Sequence, residues 1–157
     1  MQKAGAPPAA LAFARRVDGQ GYLRAFREAG RVDVALAEYP FRANENAVCL
    51  LVNGTPASID VDDLSGLDRQ ALEANPEYAA LARSHPRIAI FPGSRGGARG
   101  PAALRLSGGG QRFVVSYALR DGCHACKTVG EAQLRFDFDV EGRFRGVAVQ
   151  RVSPRYS

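Results

Sequence analysis

The fold of this chain is decided by residues 111–140, QRFVVSYALRDGCHACKTVGEAQLRFDFDV, in which two stretches alternate apolar and polar side chains. Apolar side chains recur at every second position on both sides of a central turn: Phe113, Val115, Tyr117 and Leu119 before it, and Leu134, Phe136, Phe138 and Val140 after it. Successive side chains of a strand point to opposite faces, so each stretch predicts a β-strand with one apolar face. The two strands form a predicted hairpin whose turn lies within residues 121–130.

A third strand is predicted to follow the hairpin. Glu141-Gly142 is a turn signal, and residues 143–152 return beside the second strand. The apolar positions change parity between Phe144 and Val147, which predicts a β-bulge near Gly146. We therefore expect a three-stranded antiparallel meander in the C-terminal third of the chain.

The rest of the sequence predicts short elements of both kinds. Helices are predicted after Pro7-Pro8, over Tyr22 to Ala29, from a capping-box pattern at Ser65 and Asp68, and from Asn75-Pro76 to His85. Strands are predicted over 32–39, 47–52, 58–61, 87–91 and 102–106. We expect residues 1–157 to form a single α+β domain, with an antiparallel sheet of about five strands, several short helices on one face and a flexible segment at 1–7.

Composition excludes several classes of protein. A chain of 157 residues with 46% hydrophobic and 24% charged residues has the make-up of an ordinary folded domain. It contains no apolar run of the roughly 20 residues needed to cross a bilayer. The net charge of +5 comes from arginines scattered along the chain, and the glycine-rich segment 93–100 carries two arginines and no aromatic residue. These features do not favour nucleic-acid binding, and we interpret that segment as a flexible connection.

The Cys123-His124-Ala125-Cys126 sequence in the predicted hairpin turn is the one chemically distinctive motif. Such a pair can be a redox dithiol, half of a zinc site or a local disulfide. Redox pairs usually have a helix starting at the first cysteine, but here a strand is predicted to follow. Zinc needs four ligands, and outside the turn only Cys49 and His85 could add sulfur or imidazole donors. A disulfide that closes the hairpin tip is the simplest interpretation, and it would favour an oxidising compartment.

The other candidate residues have simpler explanations. Cys49 lies within an apolar run and is predicted to be buried, because free cysteine behaves as a small hydrophobic residue. His85 is expected at a helix C-terminus. Asp137 and Asp139 share one face of a predicted strand, as an acid/base pair would, but the solvated outer face of a sheet explains them equally. No nucleophile elbow or phosphate-binding loop is present, so the sequence indicates no cofactor and favours a non-enzymatic protein.

The hairpin resembles the central part of the Ivy family, inhibitors of vertebrate lysozyme. The resemblance is carried by residues 110–117, the Asp121–Cys126 turn, Val129-Gly130 and residues 142–146, and so covers the last third of the chain. Proteins of that family are exported bacterial α+β domains in which a disulfide-closed loop, CKPHDC, inserts its histidine into the lysozyme cleft. The resemblance implies that Cys123 and Cys126 are joined and that His124 is the inserted residue. The loop here is two residues shorter, and Ala125 replaces the aspartate beside the histidine.

The leading hypothesis is therefore an exported binding domain, periplasmic or secreted, that presents residues 121–127 to the cleft of a lysozyme-like hydrolase. In it, His124 would contact the catalytic carboxylates, with Asp121 and Lys127 at the rim. The N-terminus shows no secretory apolar run, as expected of a mature exported chain; a cytoplasmic location is the alternative. A dithiol redox or metal-responsive domain and a purely structural or assembly domain are the alternative functions. No sequence feature defines an oligomeric state.

Overall fold

A computed structural model describes residues 5–17, 20–42, 46–92 and 100–155. The elements, in chain order, are α1 (Pro8–Arg16), β1 (Tyr22–Arg27), β2 (Asp33–Glu38), β3 (Ala47–Val52), β4 (Ser58–Asp60), α2 (Arg69–Glu73), α3 (Pro76–Ser84), β5 (Ile88–Phe91), β6 (Ala102–Arg105), β7 (Gln111–Asp121), β8 (Thr128–Phe138) and β9 (Phe144–Pro154). The expected α+β class is confirmed. The strands form two antiparallel sheets, where the sequence predicted one sheet of about five strands.

The predicted meander is the larger sheet. Its strand order is β5-β7-β8-β9, and β6 also pairs with β7, at the end of β7 opposite to β5. The pairing of β8 with β9 shifts register between Asp137 and Phe138, opposite Gly146 and Phe144, so the predicted bulge near Gly146 is confirmed. The alternating apolar side chains of β7 and β8 are buried on one face, with Phe113, Tyr117 and Leu134 fully inaccessible. The other face of this sheet carries the polar side chains.

The smaller sheet has the order β1-β2-β3-β4 and is apolar on both faces. Val34 and Leu51 face the larger sheet, in one continuous core that also includes Tyr78 of α3. Ala35 and Leu50 face the other way and are covered by Phe13 of α1. Because both faces are buried, β3 reads as an unbroken apolar run, as expected for a buried strand.

Buried Gln111, at the start of β7, joins the two sheets. Its Nε2 donates to the carbonyls of Ala29 and Val32 at 3.0 Å each, and its Oε1 accepts from the Val32 N–H at 2.8 Å. Tyr117 of β7 adds a second polar link, since its hydroxyl donates to the Val61 carbonyl at 2.5 Å. The polar groups of Gln111 and Tyr117 are therefore hydrogen-bonded within the core, as buried polar groups in folded proteins usually are.

The predicted helix over Tyr22 to Ala29 is wrong, because this segment is β1. A bulge at Arg24 shifts the β1–β2 register, so that Leu23 pairs with Ala37 and Phe26 with Ala35. Leu23 and Phe26 therefore lie on the same face although they are three residues apart. A bulged strand has imitated the apolar spacing of a helix.

The helix predicted from Ser65 begins later than expected. Asp68 is not the third residue of a capping box but the N-cap of α2, and its carboxylate accepts from the Gln70 and Ala71 N–H groups. The Asn75 cap and Pro76 start of α3 are confirmed. No helix in the described ranges combines the length and apolar character needed to span a bilayer. The glycine-rich stretch 93–99 and most of the predicted N-terminal flexible segment lie outside the described residues.

Candidate functional site

The Cys123–Ala125 tip of the β7–β8 connection is a short exposed turn closed by a disulfide. The sulfur atoms of Cys123 and Cys126 are 2.14 Å apart, with the Cα atoms at 5.0 Å. The Cys126 N–H also donates to the Cys123 carbonyl at 3.1 Å, so the four residues form a hydrogen-bonded turn with His124 and Ala125 at its apex. Of the three chemistries open to this motif, the structure contains the disulfide.

The base of the loop is held by backbone and side-chain bonds. The Asp121 N–H donates to the Lys127 carbonyl at 3.2 Å, and Arg120 Nη1 donates to the Cys126 carbonyl at 3.3 Å. Gly122 has φ +90°, and a Cβ on it would lie 3.3 Å from the Arg87 side chain. Glycine is needed here both for its conformation and for the close approach of Arg87.

His124, the residue predicted to be inserted in a partner, is exposed at the apex. Its ring meets the ring of Phe91 edge to face, with centroids 5.9 Å apart and an interplanar angle of 87°. Phe91 belongs to β5 and pairs with Ala118, so it stands on the outer face of the larger sheet. An aromatic contact of this geometry restricts the imidazole to a limited set of orientations.

The remaining predicted loop residues, Asp121 and Lys127, flank the turn. Asp121 Oδ2 lies 3.4 Å from Nδ1 of His85, which ends α3 as expected from the sequence. Lys127 is exposed. With Arg87 against Gly122 and Arg120 beneath Cys126, the base of the loop carries three cationic side chains and one carboxylate. The surface around the apex is therefore positively charged.

Arg87, Phe91 and Arg120 are the site residues that the sequence did not identify. Phe91 follows Ile88 and Ile90 in a short strand, and strict alternation places it on the face opposite to theirs. This alternation in the sequence could have predicted that Phe91 lies on the outer face. The approach of Arg87 to Gly122 depends on the pairing of β5 with β7, which the sequence does not specify.

The residues considered as acid/base candidates are engaged in structural contacts. Arg112 binds Asp137 through two bonds, from Nε at 2.7 Å and from Nη2 at 2.9 Å, on the outer face of the larger sheet. Asp139 lies just after β8, where its carboxylate accepts from backbone N–H groups and pairs with Arg145. The Arg143 N–H and then the Arg145 charge hold the pKa of Asp139 below its usual value.

Cys49 and His85, the possible metal ligands outside the loop, do not form part of a metal site among the residues that the structure describes. Cys49 is buried between the sheets, and burial raises the pKa of its thiol to about 12. Within the described part of the chain, no group of three or more His, Cys, Asp or Glu side chains is arranged to hold a metal ion.

Comparisons with known proteins found no match: the chain matches no family model, no curated protein and no solved structure.

Proposed function

We propose that this chain is a non-catalytic binding domain that inserts the apex of its Cys123–Cys126 loop into the acidic cleft of a partner hydrolase, in the manner of the lysozyme inhibitors it resembles. The observation that carries the proposal is the exposed His124 at the apex of a covalently closed turn. Exposed imidazole on a fixed loop is suited to donating hydrogen bonds to carboxylates, and a pair of carboxylates flanks the scissile bond in most glycoside hydrolases.

The closed loop supports this proposal through the entropy of binding. The disulfide, the Cys126-to-Cys123 hydrogen bond and the Phe91 contact restrict the loop before any partner arrives. A segment already ordered in its bound shape loses less conformational entropy on association. The size of the loop limits its reach, so we expect the contact to be made by His124 and its immediate neighbours.

The net charge of this protein indicates the charge expected on the surface of its partner. The +5 net charge and the cationic base of the loop would raise the association rate with an acidic surface and lower it with a basic one. Among lysozymes and related hydrolases, we therefore expect those with an acidic surface around the cleft to be bound best.

The proposed compartment follows from the disulfide. Disulfides persist in secreted and periplasmic proteins and are rare in the cytosol, so we place the protein outside the cytoplasm. The dithiol alternative has less support, because β8 rather than a helix follows the loop, and so the usual cause of a lowered thiol pKa is missing at Cys123.

The test is inhibition of a panel of purified lysozymes that spans acidic and basic net charge. We expect inhibition of acidic members, and His124→Ala should weaken it by about thirtyfold or more if His124 is a central contact, because such residues contribute about 2–4 kcal/mol. The matched control is Arg24→Ala, which truncates an exposed side chain on β1 of the smaller sheet and should keep nearly full inhibition. Equal potency of His124→Ala and the unchanged chain would remove the insertion model, and inhibition of no lysozyme would remove the assignment to this class.

A further inference from the structure

A second surface feature lies on the outer face of the larger sheet, beside the loop. It is a recess with a volume of about 590 Å³, formed by the ends of β7, β8 and β9. Its lining residues include Ser116, Thr128 and Ser153, which carry hydroxyl groups, and Arg120 and Arg155, which carry guanidinium groups. A volume of this size is in the range of sites for small molecules.

Strand pairing creates the recess. Ala118 lies opposite Glu131, so a small side chain occupies the middle of the β7 wall. A bulge then moves Arg120 opposite Thr128, and the Arg155 N–H donates to the Val129 carbonyl at 2.9 Å. Arg120 and Arg155 are thereby brought to the two sides of Thr128, at one end of the recess.

The guanidinium group of Arg120 has donors to spare. Its Nη1 donates to the Cys126 carbonyl, while its Nε is buried and has no acceptor among the described residues. Guanidinium has five N–H donors, and leaving a buried donor without an acceptor is costly. An anion in the recess would offset the charge that this partly desolvated group carries.

The carboxylate of Glu131 also lines the recess but is already engaged. Its Oε1 accepts from the Ser116 hydroxyl at 3.1 Å and lies 3.4 Å from Gln133 Nε2. In the strand register the Ser116–Gln133 pair and the Arg120–Thr128 pair lie on opposite sides of the Ala118–Glu131 pair, so these two donors draw the Glu131 carboxylate away from Arg120. The end of the recess near Arg120 and Arg155 therefore keeps a net positive charge.

We propose that this recess binds the carboxylate of a small polar ligand, with Arg120 and Arg155 on the carboxylate and the hydroxyls of Thr128 and Ser153 on its polar body. Arginine is well suited to planar two-point recognition of a carboxylate. Two sources present this chemistry: an acidic sugar, and the C-terminus of a short peptide. The site is independent of the proposed inhibitor function, because its occupancy is measured without any partner enzyme.

The test is a titration of the oxidised chain followed by backbone amide NMR, with two matched pairs of probes. One pair is glucuronate and glucose, and the other is N-acetyl-dialanine and its C-terminal amide. In at least one pair we expect the acid to shift the amide signals of Ser116, Thr128 and Gly130, with a Kd on the order of 1 mM or tighter, and the neutral member to shift none of them. The acid that binds more tightly identifies the source.

Arginine variants separate a built site from general attraction. Arg155→Gln should weaken binding about tenfold or more, as expected for the loss of a hydrogen bond to a charged group. Arg151→Gln removes the same charge from an exposed position on β9 outside the recess, and should change the Kd less than twofold. Equal weakening by the two variants, or no preference for the acid over its neutral partner in either pair, would overturn the proposal.

Discussion

The two turns at the ends of β8 are built in opposite ways. The turn from Asp139 to Arg143 is attached to the other sheet: the Thr55 N–H donates to the Gly142 carbonyl and the Phe144 N–H donates to the Thr55 carbonyl, both at 2.8 Å. Arg31 Nε adds a bond to the Glu141 carbonyl at 3.2 Å. The 121–127 loop is instead closed by a bond between two of its own residues, and its apex is exposed.

This difference separates a turn that supports the fold from a turn that presents side chains. Changes at the attached turn disturb the contact between the two sheets, and hence the core. Changes at the self-closed loop alter a surface that the core does not depend on. Stability and binding should therefore respond to mutations at opposite ends of the same strand.

The largest effect on stability is expected at Gly54, next to the attached turn. A Cβ on this residue would lie 2.5 Å from the Gly142 carbonyl oxygen and 2.9 Å from Val32 Cγ2. Gly54→Ala must therefore push the turn away from the smaller sheet, and we expect a loss of about 2–3 kcal/mol in the free energy of unfolding, measured in urea. Gly108→Ala is the control, because a Cβ there has nothing within 4 Å. Similar midpoints for the two variants would contradict the assigned role of the turn.

A smaller effect is expected when the self-closed loop is opened. The disulfide joins residues three apart, and the chain-entropy relation gives at most about 2 kcal/mol for so short a ring. The double variant Cys123→Ser, Cys126→Ser should keep the far-ultraviolet circular dichroism spectrum and a cooperative urea transition, while any inhibition of a lysozyme falls. Failure of this variant to fold would instead favour the structural role considered for the loop.

The smallest effect is expected from the charge of Asp139 at the attached turn. Its pKa is lower in the folded chain than in the unfolded one, so its stabilising contribution is present above the unfolded pKa and is lost as the pH falls through the folded pKa. Asp139→Asn should be less stable than the unchanged chain at neutral pH, and the gap should close as the pH falls below about 4. Urea midpoints across this range provide the measurement, and a gap that stays constant would show that the charge is not its cause.

The contrast between the two turns also shows what the sequence can predict. The meander and its bulge at Gly146 were predictable because a strand with one buried face must alternate apolar side chains, and an extra residue must break the alternation. The loop was predictable because cysteine pairs carry few chemical possibilities. The strand β1 was not predictable, because the bulge at Arg24 puts Leu23 and Phe26 on one face at a spacing that also suits a helix.

The surroundings of the loop depend on pairings between distant segments. Arg120, Thr128 and Arg155 meet through a register shift in β7–β8 and a backbone bond at the end of β9. No local pattern of residues predicts this register shift or this backbone bond. Phe91 reaches His124 only because β5 pairs with the last residues of β7, while β6 pairs with the first residues of the same strand.

The buried Cys49 has a practical consequence for following the motions of this protein. With Cys123 and Cys126 joined, it is the sole free thiol, and it lies between the two sheets with a pKa raised by burial to about 12. A thiol reagent reaches it only when the sheets part, so its labelling rate reports the frequency of that opening event. The chain thus contains a single thiol that reports on opening of its core, and this thiol lies on the inner side of the larger sheet, whereas the recess lies on its outer face.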